Sequence, residues 1–563
     1  MSALSDCDKM CLPADIAGKY DSCVREGWKM GTYLNPGNSG FKRIIESEYI
    51  DKTGLIRLIN NSIGTTKNLT CISRPRRFGK SYAAQMLCAY YDKTCDSREL
   101  FRDYQIAGDP DFEKHRNKYD VIYLDMTGIK PYTQDFRTVV PFLIQSLKHE
   151  IKQAYPDIAE KEDFSSFLVD TVEKTGDRIV IVIDEWDAPI RENPSVQREY
   201  LEFLRSLFKN SGTTSRIFAA AYMTGILPIK KDGSQSAISD FHEYSMLDPQ
   251  GFAEYVGFTE EEVRQECDKF GRSFDSMKKW YDGYTVGDCP SIYNPYSVMQ
   301  ALGTGKYRSY WKKTSASETL MTYIDMDQDG LQEDVARLIA GESIIVDTDS
   351  FQNDVETFTC KDDVLTLLIH LGYLTYEEVP DSYDEAEDEE LTGFARIPNE
   401  EVRSEFRSIL RKGKHQSLLA LVRKSDQVLR DTLAGNADAV AAAVQEVHDS
   451  EYAPNFYNNE QSLRYVIKMA YLTCVDQYAK IEELPTGHGI ADLVFLPKRS
   501  SPLPAMVIEL KWDRGVNGAI QQIQDKRYPK ILENYGGEVI LVGISYDKKT
   551  KKHVCEIIES SGT

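Results

Sequence analysis

Four short apolar runs, separated by helix-length segments, constrain the first half of the chain more than any other feature. They are nearly continuous in apolar or β-branched side chains and cover residues 69–73 (LTCIS), 121–126 (VIYLDM), 179–184 (IVIVID) and 216–225 (RIFAAAYMTG). Such runs are typical of parallel strands that are covered on both faces. The segments between them are long enough for crossover helices, so the pattern predicts an α/β domain.

The pattern changes twice further along the chain. Helical periodicity dominates from residue 249 to 450 and is interrupted by the acidic segment 381–390. Another helix and three apolar runs follow, at 490–496, 505–512 and 538–546. We therefore expect four regions, which are an α/β domain (30–248), a helical lid (249–345), a mostly helical middle region (346–450) and a second α/β domain (451–563).

Composition indicates an ordinary globular protein, with 41% hydrophobic and 28% charged residues. We find no stretch suited to a membrane helix and no signal peptide, and the eleven cysteines contain no CxxC pair. These features predict a cytoplasmic protein with reduced thiols. The net charge is -22, but residues 451–563 hold 14 Lys/Arg and 14 Asp/Glu. Charge therefore neither supports nor excludes nucleic-acid binding by the last region.

A phosphate-binding loop is predicted directly after the first apolar run. The segment RPRRFGKS (74–81) ends in Gly79-Lys80-Ser81, which suits a loop that cradles phosphates at a helix N-terminus. Lys80 would reach the β and γ phosphates of ATP, and the Ser81 hydroxyl would bind Mg²⁺. Arg74 stands where the usual pattern has glycine, which leaves open how efficient ATP hydrolysis is.

Two acids end the third apolar run. Asp184 and Glu185 follow IVIVI, and the carboxyl end of a strand is where ligands bind in an open α/β sheet. Asp184 would hold Mg²⁺ through water, and Glu185 would polarise the water that attacks ATP. Thr224 ends the next run; it would either sense the γ-phosphate or play a structural part.

A second acidic site is predicted near the C-terminus. In VIELKW, Glu509 and Lys511 are two residues apart, so a strand would place them on one face. Asp492 lies on the preceding predicted strand, and a hairpin would bring it beside Glu509. Two carboxylates suit Mg²⁺, which would activate water while Lys511 orients the nucleophile or neutralises developing charge.

Six motifs in order resemble a bacterial AAA-ATPase-like domain that is often fused to a PD-(D/E)XK nuclease-like domain. They are IIESEYIDKTGLI (44–56), RPRRFGKS, IDEWDAP, MTGILPI, FTEEEV and WYDGY with YNPYS. The resemblance implies a P-loop AAA-like parallel sheet with a helical lid, and it adds Arg77 to the nucleotide-binding residues Gly79, Lys80, Ser81, Asp184 and Thr224. The Asp51-Lys52-Thr53 motif would either line the nucleotide pocket or dock the N-terminal segment.

The C-terminal region resembles the PD-(D/E)XK core in its order of residues. That pattern is a helical Glu, an Asp, Glu-x-Lys and then a helix with Gln, which Glu460, Asp492, Glu509, Lys511 and Gln522 match, with Gln521 competing for the last role. The resemblance implies that Glu460 is a third metal ligand and that the substrate is DNA rather than RNA. It also implies a protein of the bacterial cytoplasm that can form a homo-oligomer.

The leading hypothesis is an ATP-binding, Mg²⁺-dependent deoxyribonuclease with a role in defence or mobile-element biology. One rival is a nucleotide-switched protein whose nuclease-like fold only binds nucleic acid. Another is a signalling ATPase with a structural C-terminal domain.

Overall fold

The structure, a computed structural model, describes residues 32–128, 139–209, 211–229, 238, 240–311, 330–349, 351, 358, 360–378, 392–412, 416–451, 460–486, 489–498, 503–512 and 537–560. These residues form two compact units. The first comprises the described residues up to 310 together with 347–378, and the second comprises those of 311–346 and 392–560.

The first part of the chain alternates helices with five strands. The helices up to the fifth strand are α1 (Ser39–Ile45), α2 (Gly54–Ser62), α3 (Lys80–Tyr91), α4 (Arg98–Phe101), α5 (Phe112–His115), α6 (Val139–Ala154), α7 (Phe164–Thr175), α8 (Ala188–Glu192), α9 (Gln197–Phe208) and α10 (Ser211–Ile217). The strands are β1 (Leu69–Ser73), β2 (Asp120–Asp125), β3 (Ile179–Asp184), β4 (Phe218–Gly225) and β5 (His242–Tyr244).

These five strands form one parallel sheet in the order β2-β3-β4-β1-β5. Every residue of β1, β3 and β4 is buried, as the continuous apolar runs predict. Helices α6, α7 and α9 pack on the sheet through a shared apolar core. Because β1 and β3 are parallel and both flank β4, their carboxyl ends lie at the same end of the sheet. This places the loop after β1 close to Asp184 and Glu185.

The region predicted as a helical lid also contains a small sheet. Its elements are β6 (Phe258–Thr259), α11 (Glu260–Phe270), α12 (Phe274–Tyr281), β7 (Tyr284–Val286), β8 (Cys289–Tyr293) and α13 (Pro295–Thr304). The strands pair antiparallel in the order β6-β8-β7. The expectation of a helical lid did not include this sheet, because strands of two to five residues are too short for a clear alternating pattern. Helix α11 begins with a capping box formed by Thr259 and Glu262.

Helices and short strands continue from residue 330 to 451. They are α14 (Leu331–Ala340), β9 (Ile344–Asp347), α15 (Lys361–Leu371), β10 (Thr375–Glu378), β11 (Thr392–Arg396), α16 (Glu400–Lys412), α17 (Gln416–Leu433) and α18 (Ala437–Glu451). Helix α15 is closely followed by strand β10. The acidic segment 381–390 lies outside the described residues.

The C-terminal region is a helix followed by a mixed sheet. Its elements are α19 (Glu460–Ala470), β12 (Tyr478–Thr486), β13 (Gly489–Pro497), β14 (Ala505–Trp512), β15 (Val539–Asp547) and β16 (Lys552–Ser560). The sheet has this strand order, with β14 and β15 parallel and the other neighbours antiparallel. One face packs against α17, α18 and α19. The predicted strands are confirmed, whereas β12 and β16 were not predicted.

Among the described residues, none of the helices has the combination of length and apolar character that crossing a bilayer requires.

Candidate functional site

The loop after β1 has the backbone that a phosphate loop needs. Gly79 adopts φ 93°, a left-handed conformation that glycine reaches without steric cost, and α3 begins at the next residue. Arg77 also has a positive φ, 71°, which is strained for a residue with a side chain. Its guanidinium lies 4.5 Å from the Tyr296 ring centroid and donates to the Tyr310 carbonyl at 2.6 Å. The predicted strand-loop-helix arrangement is therefore confirmed.

The Lys80 side chain bridges the loop and the acid after β3. Its Nζ donates to the carbonyl oxygens of Arg74 and Pro75, both at 3.0 Å, and lies 3.2 Å from Glu185 Oε1. Only 3% of the Lys80 side chain is exposed, compared with 18% for Glu185. Lys80, predicted to reach the γ-phosphate, and Glu185, predicted to polarise the attacking water, therefore lie next to each other.

Asp184 is buried at the end of β3 and is held by two hydroxyls. The Thr224 hydroxyl donates to Asp184 Oδ1, and the Ser81 side chain is hydrogen-bonded to the same carboxylate. Burial raises the pKa of Asp184, although these two hydrogen bonds oppose the shift. The hydroxyl and carboxylate oxygens of Ser81 and Asp184 are the hard donors that Mg²⁺ prefers. The donor set therefore fits the predicted cation.

Thr224 is hydrogen-bonded to both Asp184 and Glu185. Its hydroxyl also accepts a hydrogen bond from the Glu185 backbone N–H at 3.2 Å. Glu185 has φ 53°, so the chain turns sharply after β3 and this contact supports the strained turn. These contacts give Thr224 a structural role, and its contact with a γ-phosphate stays a prediction.

Glu185 lies within a charged network that sequence analysis missed. Arg191 donates to Glu185 Oε2 through Nη2 and to Asp187 Oδ2 through Nε, both at 2.8 Å. Burial would raise the pKa of Glu185, but the positive charges of Lys80 and Arg191 outweigh it and hold the pKa below its usual value. Glu185 is therefore a carboxylate at neutral pH. The available signal was the four-residue spacing of Asp187 and Arg191, which suits a helical ion pair.

A cavity of about 520 Å³ opens beside this network, a volume typical of sites for small ligands. Its lining includes Arg77, Gly79, Lys80, Ser81 and Glu185, together with Lys52, Tyr255, Phe258, Tyr296 and Met299. The groups predicted to bind phosphate and several aromatic side chains thus share one cavity.

Arg74, the departure from the usual loop pattern, serves the fold. Its side chain is fully buried, and Nη1 donates to the carbonyls of Tyr244 at 3.1 Å and Ser245 at 2.6 Å, at the end of β5. Burial lowers the pKa of Arg74 to about 10, which leaves it charged at neutral pH. Arg74 is not one of the described residues that line the cavity, so it does not take the space of a phosphate.

The Asp51-Lys52-Thr53 motif both docks the N-terminal segment and lines the cavity. Asp51 accepts hydrogen bonds from Thr53 and from the Gln105 backbone N–H, which ties the N-terminal segment to the domain. Lys52 Nζ lies 2.6 Å from Glu262, the acid of the α11 capping box, while its side chain also lines the cavity. The motif therefore docks the N-terminal segment and also lines the cavity, whose occupation by a nucleotide stays a prediction.

The C-terminal acids lie on neighbouring strands. The register of β13 and β14 pairs Leu493 with Ile508, so Asp492 and Glu509 occupy the next positions along the two strands. Both are buried, with exposed fractions of 7% and 2%. The predicted hairpin is therefore confirmed.

Lys511 shares a face of β14 with Glu509, as strand alternation predicts. Its Nζ donates to Glu509 Oε1 at 3.2 Å. Leu510, between them, belongs to the core on the other face, which packs against the helices.

Asp492 has two partners in the structure. Its Oδ2 accepts a hydrogen bond from the Leu510 backbone N–H at 2.9 Å, and Arg464 on α19 donates to Oδ1 at 2.8 Å. Arg464 was not predicted. The available signal was its position one helical turn after Glu460, the residue at which α19 begins.

Two predicted nuclease-site residues cannot be placed. Gln522 lies outside the described residues, as does Gln521, and the Glu460 side chain is not described. Among the described side chains, no group of three acidic, histidine or cysteine residues is close enough to hold a metal ion. The oxygen donors of Asp492 and Glu509 still fit a hard divalent cation, and Glu460 remains a predicted third ligand.

Comparisons with protein-family models agree with the motifs. Residues 36–234 match the family described as "Predicted AAA-ATPase", and residues 458–556 match the PD-(D/E)XK nuclease superfamily. One chain thus carries both matches, in the order expected from the sequence. The mixed α/β fold, with a parallel sheet in the first unit and a mixed C-terminal sheet, agrees with these two matches.

Among individual proteins, the chain is similar to an uncharacterized protein in the vnfD 5' region of Azotobacter chroococcum mcd 1. The two are 24% identical over 93% of this chain and 98% of that protein. Solved structures that resemble it include a Walker-type ATPase of Pyrococcus abyssi, at 12% identity, a TM-score of 0.29, and coverage of 63% of this chain and 94% of that one. Another is the Aeropyrum pernix ORC2 protein, at 11% identity, a TM-score of 0.30, and coverage of 66% and 98%.

Proposed function

We propose that the protein is an ATP-binding, Mg²⁺-dependent nuclease that cleaves DNA phosphodiester bonds in the cytoplasm, and that its P-loop domain regulates or powers cleavage. The observation that carries this proposal is the placement of Asp492, Glu509 and Lys511. Two buried carboxylates lie at adjacent positions of neighbouring strands, and a lysine amine lies 3.2 Å from one of them.

Each residue of this group has a distinct proposed task. Asp492 and Glu509 would hold the cation, with Glu460 as the predicted third ligand, and Gln522 would complete the site. A bound Mg²⁺ supplies an activated water and neutralises charge on the phosphate. Lys511, fixed by Glu509, would orient the attacking water toward the phosphorus or stabilise the charge that develops on the phosphate oxygens.

The P-loop half would bind ATP in the cavity beside α3. Lys80 would exchange its contacts with the loop carbonyls and Glu185 for phosphate oxygens, since a phosphate is a stronger partner for an ammonium group than a backbone carbonyl. Ser81 and Asp184 would hold Mg²⁺, directly and through water. Glu185, which keeps Arg191 as a partner, would accept a hydrogen bond from the attacking water.

The test is degradation of linear and circular DNA by the full chain in Mg²⁺, with a matched Glu509→Gln variant. We expect the variant to fold normally and to lose at least about a hundredfold in cleavage rate, because the amide removes the charged ligand. EDTA should abolish cleavage by the wild-type protein. Equal cleavage by both proteins, or cleavage that persists in EDTA, would refute the proposed site.

A second candidate function is a nucleotide-switched protein that binds nucleic acid without cutting it. The Arg464–Asp492 contact favours it, because a carboxylate that already has a cationic partner is satisfied without a metal. Retention of DNA without cleavage, unchanged by EDTA and by Glu509→Gln, is the result expected from this alternative.

A further inference from the structure

Arg74 is a fully buried cation, and the groups around it carry no negative charge. Its pKa of about 10 keeps the guanidinium charged at neutral pH. Three titratable groups interact electrostatically with it, namely Tyr222, Cys289 and His370. All three are neutral at pH 7, because burial raises the pKa of Tyr222 and of Cys289 and lowers the pKa of His370 to about 4. A buried arginine ordinarily has an anionic partner, and none of the described residues supplies one here.

Only part of the Arg74 guanidinium is hydrogen-bonded. Nη1 donates to the carbonyl oxygens of Ser73, Tyr244 and Ser245, at 2.9, 3.1 and 2.6 Å. Nε and Nη2 are buried, and neither has an acceptor within the described part of the chain. The N–H groups of Nε and Nη2 point in the same direction, as the parallel pair of donors with which an arginine binds an anion through two hydrogen bonds.

Tyr222 brings a third donor to the same place. Its hydroxyl is buried, has no hydrogen-bond partner among the described residues, and lies close enough to Arg74 that the positive charge affects its ionisation. Because Arg74 and Tyr222 are only 0% and 1% exposed, any group bound against them must be small. A water molecule would satisfy hydrogen bonds there but would leave the charge of the guanidinium unbalanced.

We propose that Arg74 and Tyr222 form a binding site for a small monovalent inorganic anion such as chloride. Nε and Nη2 of Arg74 and the Tyr222 hydroxyl donate to the anion, and its charge balances that of the guanidinium. The anion holds the residue at which the phosphate loop begins, whose carbonyl oxygen accepts a hydrogen bond from Lys80. The site goes beyond the proposed function, since it needs neither ATP nor DNA.

The first test is thermal unfolding of the full chain, followed by tryptophan fluorescence. Chloride replaces gluconate, which is too large for the site, at constant ionic strength. From about 10 to about 300 mM chloride the melting temperature of the wild type should rise by about 2–4 °C, because an anion that binds only the folded chain stabilises it. Arg74→Met has a side chain of similar length without the charge and should show no rise. Arg116→Met is the matched control and should keep the full rise, because Arg116 is also buried but has Asp96 and Glu113 as partners.

Two further measurements locate the anion. Tyr222→Phe keeps the ring but removes a donor, so the chloride concentration at half-maximal effect should increase about tenfold. Crystals of the wild type grown in bromide should show anomalous signal within hydrogen-bonding distance of Arg74 Nε and Nη2. This second measurement needs no variant, so it tests the site even if Arg74→Met does not fold.

Four results would overturn the inference. A chloride effect of equal size in the wild type and Arg74→Met would be a general effect of salt, and no effect in the wild type is the result expected from a buried water. Bromide crystals without signal at Arg74, or an unchanged half-maximal chloride concentration in Tyr222→Phe, would contradict the proposed ligands. Loss of ATP binding or of DNA cleavage has no bearing on these outcomes, so failure of the proposed function is distinguishable from failure of the anion site.

Discussion

His370 lies fully inside the first unit, on α15, and its ionisation opposes folding. Burial lowers the pKa of His370 to about 4, and the positive charge of Arg74 adds to the shift. An unfolded histidine titrates near 6.5, so between about pH 6.5 and pH 4 the unfolded chain binds more protons at this residue than the folded chain does. The stability that the neutral imidazole gives is therefore complete above this range and is lost as the pH falls through it.

Replacing His370 with Gln should flatten this pH dependence. Between about pH 7 and pH 5 the wild-type protein should lose about 2 kcal/mol of unfolding free energy that His370→Gln does not lose. Urea unfolding followed by fluorescence at both pH values measures the difference. His149→Gln, on the partly exposed α6, is the matched control and should behave like the wild type. Parallel losses in wild type and His370→Gln would show that this histidine does not set the dependence.

At the scale of elements, the end of β4 and the turn after β3 are packed without space for a further carbon. A Cβ added at Gly225 would lie 2.5 Å from Trp186 Nε1 and 3.1 Å from Asp187 Oδ1. The turn after β3 is also hydrogen-bonded to the segment that follows β4. Asp187 Oδ2 accepts hydrogen bonds from the backbone N–H groups of Ile226 and Leu227 at 3.2 and 3.0 Å. The acids after β3 thus depend on a glycine in the neighbouring strand.

Gly225→Ala should therefore disturb the nucleotide site as well as the fold. We expect a loss of about 1–3 kcal/mol in stability, typical of overpacking, and weaker ATP binding because Glu185 adjoins the displaced tryptophan. Trp186 fluorescence and titration with a fluorescent ATP analogue measure the two effects. Gly108→Ala is the control, since nothing lies within 4 Å of a Cβ at that position. A variant as stable as the control would show that the turn relaxes easily.

At the scale of the whole molecule, the proposal requires the two domains to communicate. A nucleotide converts an almost wholly inactive population of conformations into an almost wholly active one only if it favours the active conformation by about 5.5 kcal/mol. The contacts of a γ-phosphate and Mg²⁺ with Lys80, Ser81 and Asp184 are the proposed source of that energy. Glu509 and Lys511 are not among the residues that line the P-loop cavity, so an effect on cleavage must be transmitted.

Lys80→Ala should abolish ATP binding and also change the rate of DNA cleavage, although the nuclease-like site is untouched. Cleavage by the full chain is measured with ATP, with ADP and without nucleotide, in wild type and variant. We expect at least about a tenfold nucleotide effect in the wild type, equivalent to 1.4 kcal/mol, and none in the variant. If nucleotide changes nothing and the variant cuts like the wild type, the domains act independently.

The sequence was most informative where chemistry and backbone geometry coincide. The first four strands were predicted from nearly continuous apolar runs, and the loop and the acids from Gly79-Lys80-Ser81 and Asp184-Glu185 beside those runs. Alternation along β14 predicted that Glu509 and Lys511 share a face. Partners contributed by other elements were out of reach. The contacts of Arg464 with Asp492, and of Arg74 with the carbonyls of Tyr244 and Ser245, depend on tertiary packing. The one-turn spacing from Glu460 to Arg464 marks a position on α19 but does not identify its partner on another element.

The position of β4 in the first sheet also affects when the chain can fold during its synthesis. Leu69 of β1 pairs with Ala221 of β4, and the other neighbour of β1, β5, comes later still. While the ribosome is still synthesising the first two hundred or so residues, β1, which is fully buried in the folded protein, therefore has no strand beside it. Non-local pairings of this kind form slowly and leave apolar edges exposed to aggregation. A nascent chain that stops before β4 would be expected to need a chaperone and to bind no nucleotide, so nucleotide binding would mark the moment when the sheet is complete.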